Sequence, residues 1–366
     1  MKLVIFGLTI SSSWGNGHAT LLRGLFRALV AAGHKITFFE HDVPYYAAHR
    51  DMTHLEGVTL YLYEDWQTIY PVANRELLDA DVGMVTSYCF DGVAASELVL
   101  SSHAPLRVFY DLDSPVTLAS LSSGRAVSYI GPRGFADFDL VLSYTGGIAL
   151  EELRRNLGAR HVAPLYGSVD PSFHCPVAPK PHYSSDLSYL GTYAEDRQGT
   201  LDDLFLRPAR QMRERKFVIG GASYPPEFPW LPNVFFVRHL PPSEHPAFYS
   251  SSRLTLNVTR SSMAKMGYCP SGRLFEAAAC GTPILSDYWE GLEQFFQLND
   301  EILVARCCED AMQAISVSDA TLARIGRIAR QRVLDCHTAQ HRAAELETIL
   351  ESAHSLSSPG VSPEAN

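Results

Sequence analysis

Asn257-Val-Thr-Arg-Ser-Ser-Met-Ala-Lys-Met-Gly-Tyr-Cys-Pro-Ser-Gly-Arg-Leu-Phe-Glu-Ala-Ala-Ala-Cys-Gly-Thr-Pro-Ile-Leu-Ser-Asp287 is the stretch whose reading decides the fold. It is entered from Leu254-Thr-Leu-Asn-Val258, which is short, apolar and partly β-branched, as a buried strand is. A loop carrying Arg260 and Lys265 follows. Pro270 is placed to open a helix, where a missing N–H costs little. The helix is expected from Ser271 to Cys280, with Gly281 at its C-terminal stop. Thr282-Pro-Ile-Leu-Ser286 then begins another strand. The result is one strand–loop–helix–strand unit of a parallel sheet, in which ligands bind beyond the carboxyl ends of the strands.

The residue types at that edge suit a phosphorylated ligand. Free N–H groups at Ser271 and Gly272, with Arg260, Lys265 and Arg273 nearby, can hold a diphosphate. Arg273 and Glu276 are three apart and share a helix face. A carboxylate there can accept hydrogen bonds from both hydroxyls of a ribose. The competing reading is a surface ion pair on an ordinary Rossmann-like helix.

The string Pro270 to Ile284 resembles the nucleotide-sugar motif of GT-B glycosyltransferases, and within them the branch related to the CgeB spore-maturation protein. Leu-Asn-Val-Thr-Arg260, Trp289-Glu-Gly-Leu-Glu293 and Phe295-Phe296 add to the likeness. It covers most of the C-terminal half and only the outline of the N-terminal half. The resemblance implies an α/β GT-B architecture. Two Rossmann-like domains with parallel sheets would face across a cleft, and a C-terminal helix would cross back to the first domain. It implies a hexosyltransferase-type enzyme that takes its sugar from a nucleoside diphosphate. A UDP-sugar stands ahead of dTDP- or GDP-sugars, and neither a cofactor nor a metal is expected. Glu276 would hold the donor ribose, and Arg260, Lys265 and Arg273 the diphosphate. Gly191 and Thr192 would abut the donor phosphates, and the backbone at His239 and Leu240 would cup the base. One departure stands out. Many retaining members carry two acids eight positions apart, and counting back eight from Glu276 reaches Tyr268. Retention against inversion therefore stays open.

Composition sets the frame. The chain has 366 residues, beyond the size at which single cores divide. The expected division is an N-terminal acceptor domain at 1–168, a linker at 169–185 and a donor domain at 186–335. A returning helix would follow at 336–354 and a disordered Ser/Pro-rich tail at 355–366. A net charge of −10 argues against nucleic acid as a partner. No run approaches the roughly 18 apolar residues of a spanning helix. Met1-Lys-Leu-Val-Ile-Phe6 leads straight into a strand-like run rather than a secretory leader. Seven scattered cysteines without a Cys-x-x-Cys pair suggest reduced thiols, a cytoplasmic protein and no structural zinc.

The N-terminal half opens as βαβ. Lys2 to Thr9 is a strand, Ala19 to Ala32 a helix, and Lys35 to Glu40 a second strand. Gly15-x-Gly17-x-x-Thr20 is a partial dinucleotide fingerprint with its third glycine lost, and Glu40 falls near the position of a ribose carboxylate. A roomy acceptor loop is the preferred reading. Within it His18 is a candidate catalytic base, since an imidazole titrates near neutrality; otherwise it caps the following helix. Asp111-Leu-Asp-Ser-Pro115 ends a later strand, and Asp113 is a candidate acid, base or acceptor contact; otherwise it is a turn residue bonding its own backbone. One long amphipathic helix is expected from about Ala320 to Leu350, with His337 and His341 in packing or capping roles. The acceptor is unidentified and can be a protein, lipid, glycan or small molecule. Two other functional classes fit the same fold: a sugar-nucleotide or glycan-binding module without activity, and a nucleotide-sugar epimerase.

Overall fold

Short apolar runs alternating with helices assemble here into two separate sheets, both wholly parallel. The computed structural model describes residues 1–357. The first sheet comprises β1 (Lys2–Gly7), β2 (Lys35–His41), β3 (Val58–Tyr63), β4 (Val82–Thr86), β5 (Leu106–Asp111), β6 (Leu140–Ser143) and β7 (Val162–Pro164). Its order is β3-β2-β1-β4-β5-β6-β7. The second comprises β8 (Leu187–Leu190), β9 (Phe217–Gly221), β10 (Val234–Arg238), β11 (Thr255–Asn257), β12 (Ile284–Asp287) and β13 (Leu303–Ala305), in the order β10-β9-β8-β11-β12-β13.

In each sheet the order reverses beside the first strand, at β1 and at β8. Such switch points open a crevice at the carboxyl ends of the strands. The central strands β4, β8 and β9 are buried along their whole length, as strands covered by helices on both faces must be.

The chain divides into two units. Met1–Ser12, Leu25–Tyr166 and the residues from Gln340 onward form the first; Ser13–Gly24 and Gly167–Ala339 form the second. The returning C-terminal helix therefore belongs with the first sheet. Among the described residues, no helix is long and apolar enough to cross a membrane.

Several element ends differ from expectation. The helix near the motif runs Gly272–Ala279, and Ser271 is its extended N-cap. Pro270 thus lies outside the helix rather than opening it. The expected long helix is two, Asp319–Cys336 and Ala339–Ser357. Its interruption has a tertiary cause: Val169 N–H donates to the His337 carbonyl at 3.1 Å, and Ala339 N–H donates to the Val169 carbonyl at 2.8 Å. Those two bonds take the backbone groups that a continuous helix needs. His337 itself is buried against Phe275, Phe295 and Phe296. Of the segment expected as a disordered tail, 355–357 continue the last helix, and 358–366 lie outside the described residues.

The dinucleotide alternative fails at Glu40. This carboxylate is 0% exposed. It accepts Thr9 Oγ1 at 2.6 Å, Ser11 Oγ at 2.5 Å, Ile10 N–H at 2.8 Å and Ser11 N–H at 3.0 Å. All its acceptor capacity is spent on the loop that leaves β1, so none remains for a ribose. Removing it orphans four buried donors. We expect Glu40→Ala to lower the stability of the first unit by about 3 kcal/mol or more, read as an earlier urea midpoint by tryptophan fluorescence. An unchanged midpoint would contradict this account of the loop.

Candidate functional site

The second unit gathers its cations at the carboxyl ends of β8 and β11. Arg273 lies one residue into the helix Gly272–Ala279. Its Nε donates to the Leu190 carbonyl, its guanidinium donates to Asn257 Oδ1 at 2.7 Å, and its plane lies 5.3 Å from the centre of the Tyr189 ring. It thus fastens the ends of two neighbouring strands. Gly191 is where that contact demands glycine: a Cβ there would stand 2.8 Å from the Tyr189 hydroxyl and 3.0 Å from the Arg273 guanidinium.

Arg260 caps the short helix Ser261–Met266 and reaches Asp196 through Nε at 3.3 Å. Asp196 also accepts Ser261 N–H at 3.2 Å. Arg197 donates to the carbonyl of Thr192 at 3.3 Å, while its Nε is buried without a partner. Burial first, then the charges of Arg273 and Arg260, pull Arg197 below the usual guanidinium range. A buried cation with an idle N–H and two like-charged neighbours favours an anion beside it. The side chain of the N-cap Ser271 makes no capping bond, so the first N–H groups of Gly272–Ala279 are left without a side-chain partner. Lys265 is exposed on the helix Ser261–Met266.

Glu276 sits one turn further along, partly buried. Its Oε2 lies 3.5 Å from the Tyr249 hydroxyl, 3.8 Å from His245 Nδ1 and 4.0 Å from His174 Nε2. Burial holds both imidazoles down to about 4. Leu240 is buried, and His239 adopts a left-handed backbone (φ 51°) with its N–H on the Gly221 carbonyl. The ring of His239 packs on Trp14, with centroids 3.3 Å apart. Asp287, at the end of β12, receives Thr259 N–H and hydroxyl, and burial raises its carboxyl to about 6.

His18 is partly buried and lies in the segment that clusters with this unit. Its expected capping role falls to Asn16, whose Oδ1 accepts His18 N–H at 3.1 Å. Tyr268 is left-handed (φ 46°) and donates its N–H to the Glu290 carbonyl at 2.7 Å.

The first unit presents a second constellation, after β5. Asp113 caps the helix Ser114–Ser122 by backbone alone. Its Oδ2 accepts the Tyr88 hydroxyl at 2.8 Å, and its buried Oδ1 has no partner. Asp113 is therefore not the self-bonding turn residue that the simpler reading expected. Asp111 lies beneath it: Oδ1 accepts Asp113 N–H and Thr117 Oγ1, and Oδ2 is buried without a partner. Burial raises Asp111 to about 6.

The structure therefore brings Gly191, Thr192, Arg260, Ser271, Gly272, Arg273 and Glu276 into one region of the second unit, and it holds Asp113 in the first. Sequence reasoning had missed Arg197, His174, His245, Tyr249 and Tyr88. Arg197 carried a legible signal, a basic residue six positions past Gly191 in Ala194-Glu-Asp-Arg197. The histidines and tyrosines carried none, because long-range packing alone assembles them.

A family model described as glycosyl transferase-like matches residues 197–348. No curated protein matches the chain significantly. Among solved structures, sucrose-phosphate synthase from Thermosynechococcus elongatus is similar over 97% of this chain and 100% of its own, at 14% identity and TM-score 0.69. An α-glucosyltransferase in complex with UDP-glucose and DNA containing an abasic site is similar over 96% and 99%, at 15% identity and TM-score 0.70. HepE from Anabaena, in complex with UDP-glucose, is similar over 96% and 100%, at 12% identity and TM-score 0.66. The fold is GT-B, as the sequence motif implied.

Asp111 yields a signed pH prediction. Its folded pKa lies near 6 against an ordinary 3.8. The neutral form thus favours folding fully below pH 3.8, and that contribution is lost as pH rises through 6. At about 1.4 kcal/mol per pH unit the whole change is worth about 3 kcal/mol. Asp111→Asn cannot ionise, so its stability relative to the parent should rise by that order between pH 4 and pH 8 in denaturant titrations. A constant difference would show that Asp111 ionises normally.

Proposed function

We propose that this chain is a glycosyltransferase that moves a hexose from a nucleoside-diphosphate sugar, in the first instance a UDP-sugar, to an acceptor. The observation that carries the reading is the partly buried Arg197, its buried Nε without a partner, flanked by Arg260 and Arg273 at a helix start with no side-chain cap. The acceptor oxygen forms its bond to the anomeric carbon as the bond from that carbon to the diphosphate breaks. The acceptor proton passes to a base, and the nucleoside diphosphate leaves with extra negative charge. Guanidiniums and helix N–H groups placed where that charge develops stabilise it in the transition state. Arg197, Arg260 and the helix start do so here, with Lys265 as a further cation and no divalent ion at the diphosphate. Arg273 supports them by holding β8 and β11 together.

Glu276, one turn on, grips the ribose, and the backbone at His239 and Leu240 cups the base. Gly191 and Thr192 let the main chain approach the phosphates. Asp113 and His18 are the candidate bases. Asp113 has the better-defined setting, with one oxygen held by Tyr88 and the other without a partner. The likeness of the string from Pro270 to Ile284 supports assignment to the CgeB-related branch. Two of the similar solved structures contain UDP-glucose, which makes it the first donor to test. No disulfide links the described cysteines, which fits a cytoplasmic setting.

The test is calorimetry with UDP and UDP-glucose, followed by a mass-spectrometric screen for transfer or donor hydrolysis. Glu276→Ala should weaken UDP binding about 10-fold or more. Arg197→Ala and Arg260→Ala should each cut turnover by roughly 100-fold while melting near the parent. Full turnover in both arginine variants would sink the charge-stabilisation reading. Tight binding without any turnover would mark a binding module, and donor conversion without acceptor an epimerase.

A further inference from the structure

We propose that His174, His245 and Glu276 form a binding site for a single divalent transition-metal ion, of which zinc is the representative. The three residues are far apart in sequence and carry no metal-ligand spacing. Folding of the second unit nevertheless brings one ligand atom of each within 4.8 Å of the others. His174 is buried and His245 partly buried, and the two buried atoms turned toward the carboxylate, His174 Nε2 and His245 Nδ1, have no hydrogen-bond partner. Two nitrogens without partners, both facing one carboxylate, form a converging set of ligand atoms.

The chemistry of the three atoms selects a cation. The His245 ring also hydrogen-bonds the backbone at Leu240. A proton held on that side leaves Nδ1 as the lone-pair nitrogen, the arrangement by which ligating histidines are usually oriented. His174 Nε2 and the Glu276 carboxylate converge with it. A metal ion can take a lone pair from each of the three atoms. The separations of 3.8 and 4.0 Å to Oε2 exceed the ligand spacing of about 3.3 Å in a tetrahedral zinc site. Side-chain shifts of about half an ångström close the gap. Imidazole and carboxylate donors suit zinc or cobalt and leave a fourth position open.

Glu276 is the point of contact with the proposed function. The groups named above face Oε2, whereas Oε1 lies on the side of Gly272. On the donor-binding reading, an ion on Oε2 would pin the carboxylate while Oε1 addresses a ribose hydroxyl. Metal binding is measured without donor or acceptor, so either idea can fail alone.

The experiment is titration of the full, chelator-treated protein with Zn2+ by calorimetry and with Co2+ by visible absorption. One ion per chain should bind, with the d–d bands of a four-coordinate nitrogen–oxygen site. His174→Ala and His245→Ala should each weaken binding by roughly 100-fold or more. No saturable binding, or unchanged binding in both variants, overturns the site. A near-ultraviolet thiolate charge-transfer band would also overturn it, by assigning the ion to a cysteine. If the variants fold poorly, the parent Co2+ spectrum decides by itself: absent d–d bands refute the proposal.

Discussion

The second unit depends on where one guanidinium is placed. Arg273 leaves the first turn of its helix and closes hydrogen bonds on β8 and β11 at once. A group with five N–H donors and a fixed plane can brace two strand ends in a way that lysine cannot. Because Arg273 is committed to the frame, the cation most short of a partner is Arg197, which the sequence reading had passed over. Two more arginines stand close to it, and their mutual repulsion is a standing cost in the unliganded protein. An anion removes that cost, so the electrostatics of the empty frame already select the charge of its ligand.

The loops at the strand ends hold backbone that ordinary residues rarely adopt. Tyr88, His239 and Tyr268 all have positive φ without being glycine. Each conformation is held in place from outside. Tyr88 donates its hydroxyl to Asp113, His239 gives its N–H to Gly221, and Tyr268 gives its N–H to Glu290. Strain of this kind persists only where surrounding structure over-determines it, and it concentrates at sites that bind or react. That three of these residues border the groups discussed here is independent of the charge argument and agrees with it.

Buried carboxylates divide into two kinds in this protein. Glu40 is saturated with four donors and serves the fold. Asp111 and Asp287 are also buried and hydrogen-bonded, yet burial outweighs those bonds and raises both to about 6. Both lie at the carboxyl end of a strand, β5 and β12.

Much of this was legible in the chain. Parallel strands, the alternation of helices, the motif helix and the positions of Arg260, Arg273, Glu276 and Asp113 follow from local pattern, because periodicity and turn chemistry act over a few residues. The sequence by itself therefore determined the fold class and the helix on which the candidate donor site is built. Only the tertiary structure decided which cations are spent on the frame and that one terminal helix is broken. Only it showed that two histidines from distant segments face the carboxylate of Glu276. Those outcomes depend on contacts between residues tens of positions apart, and no local preference encodes them.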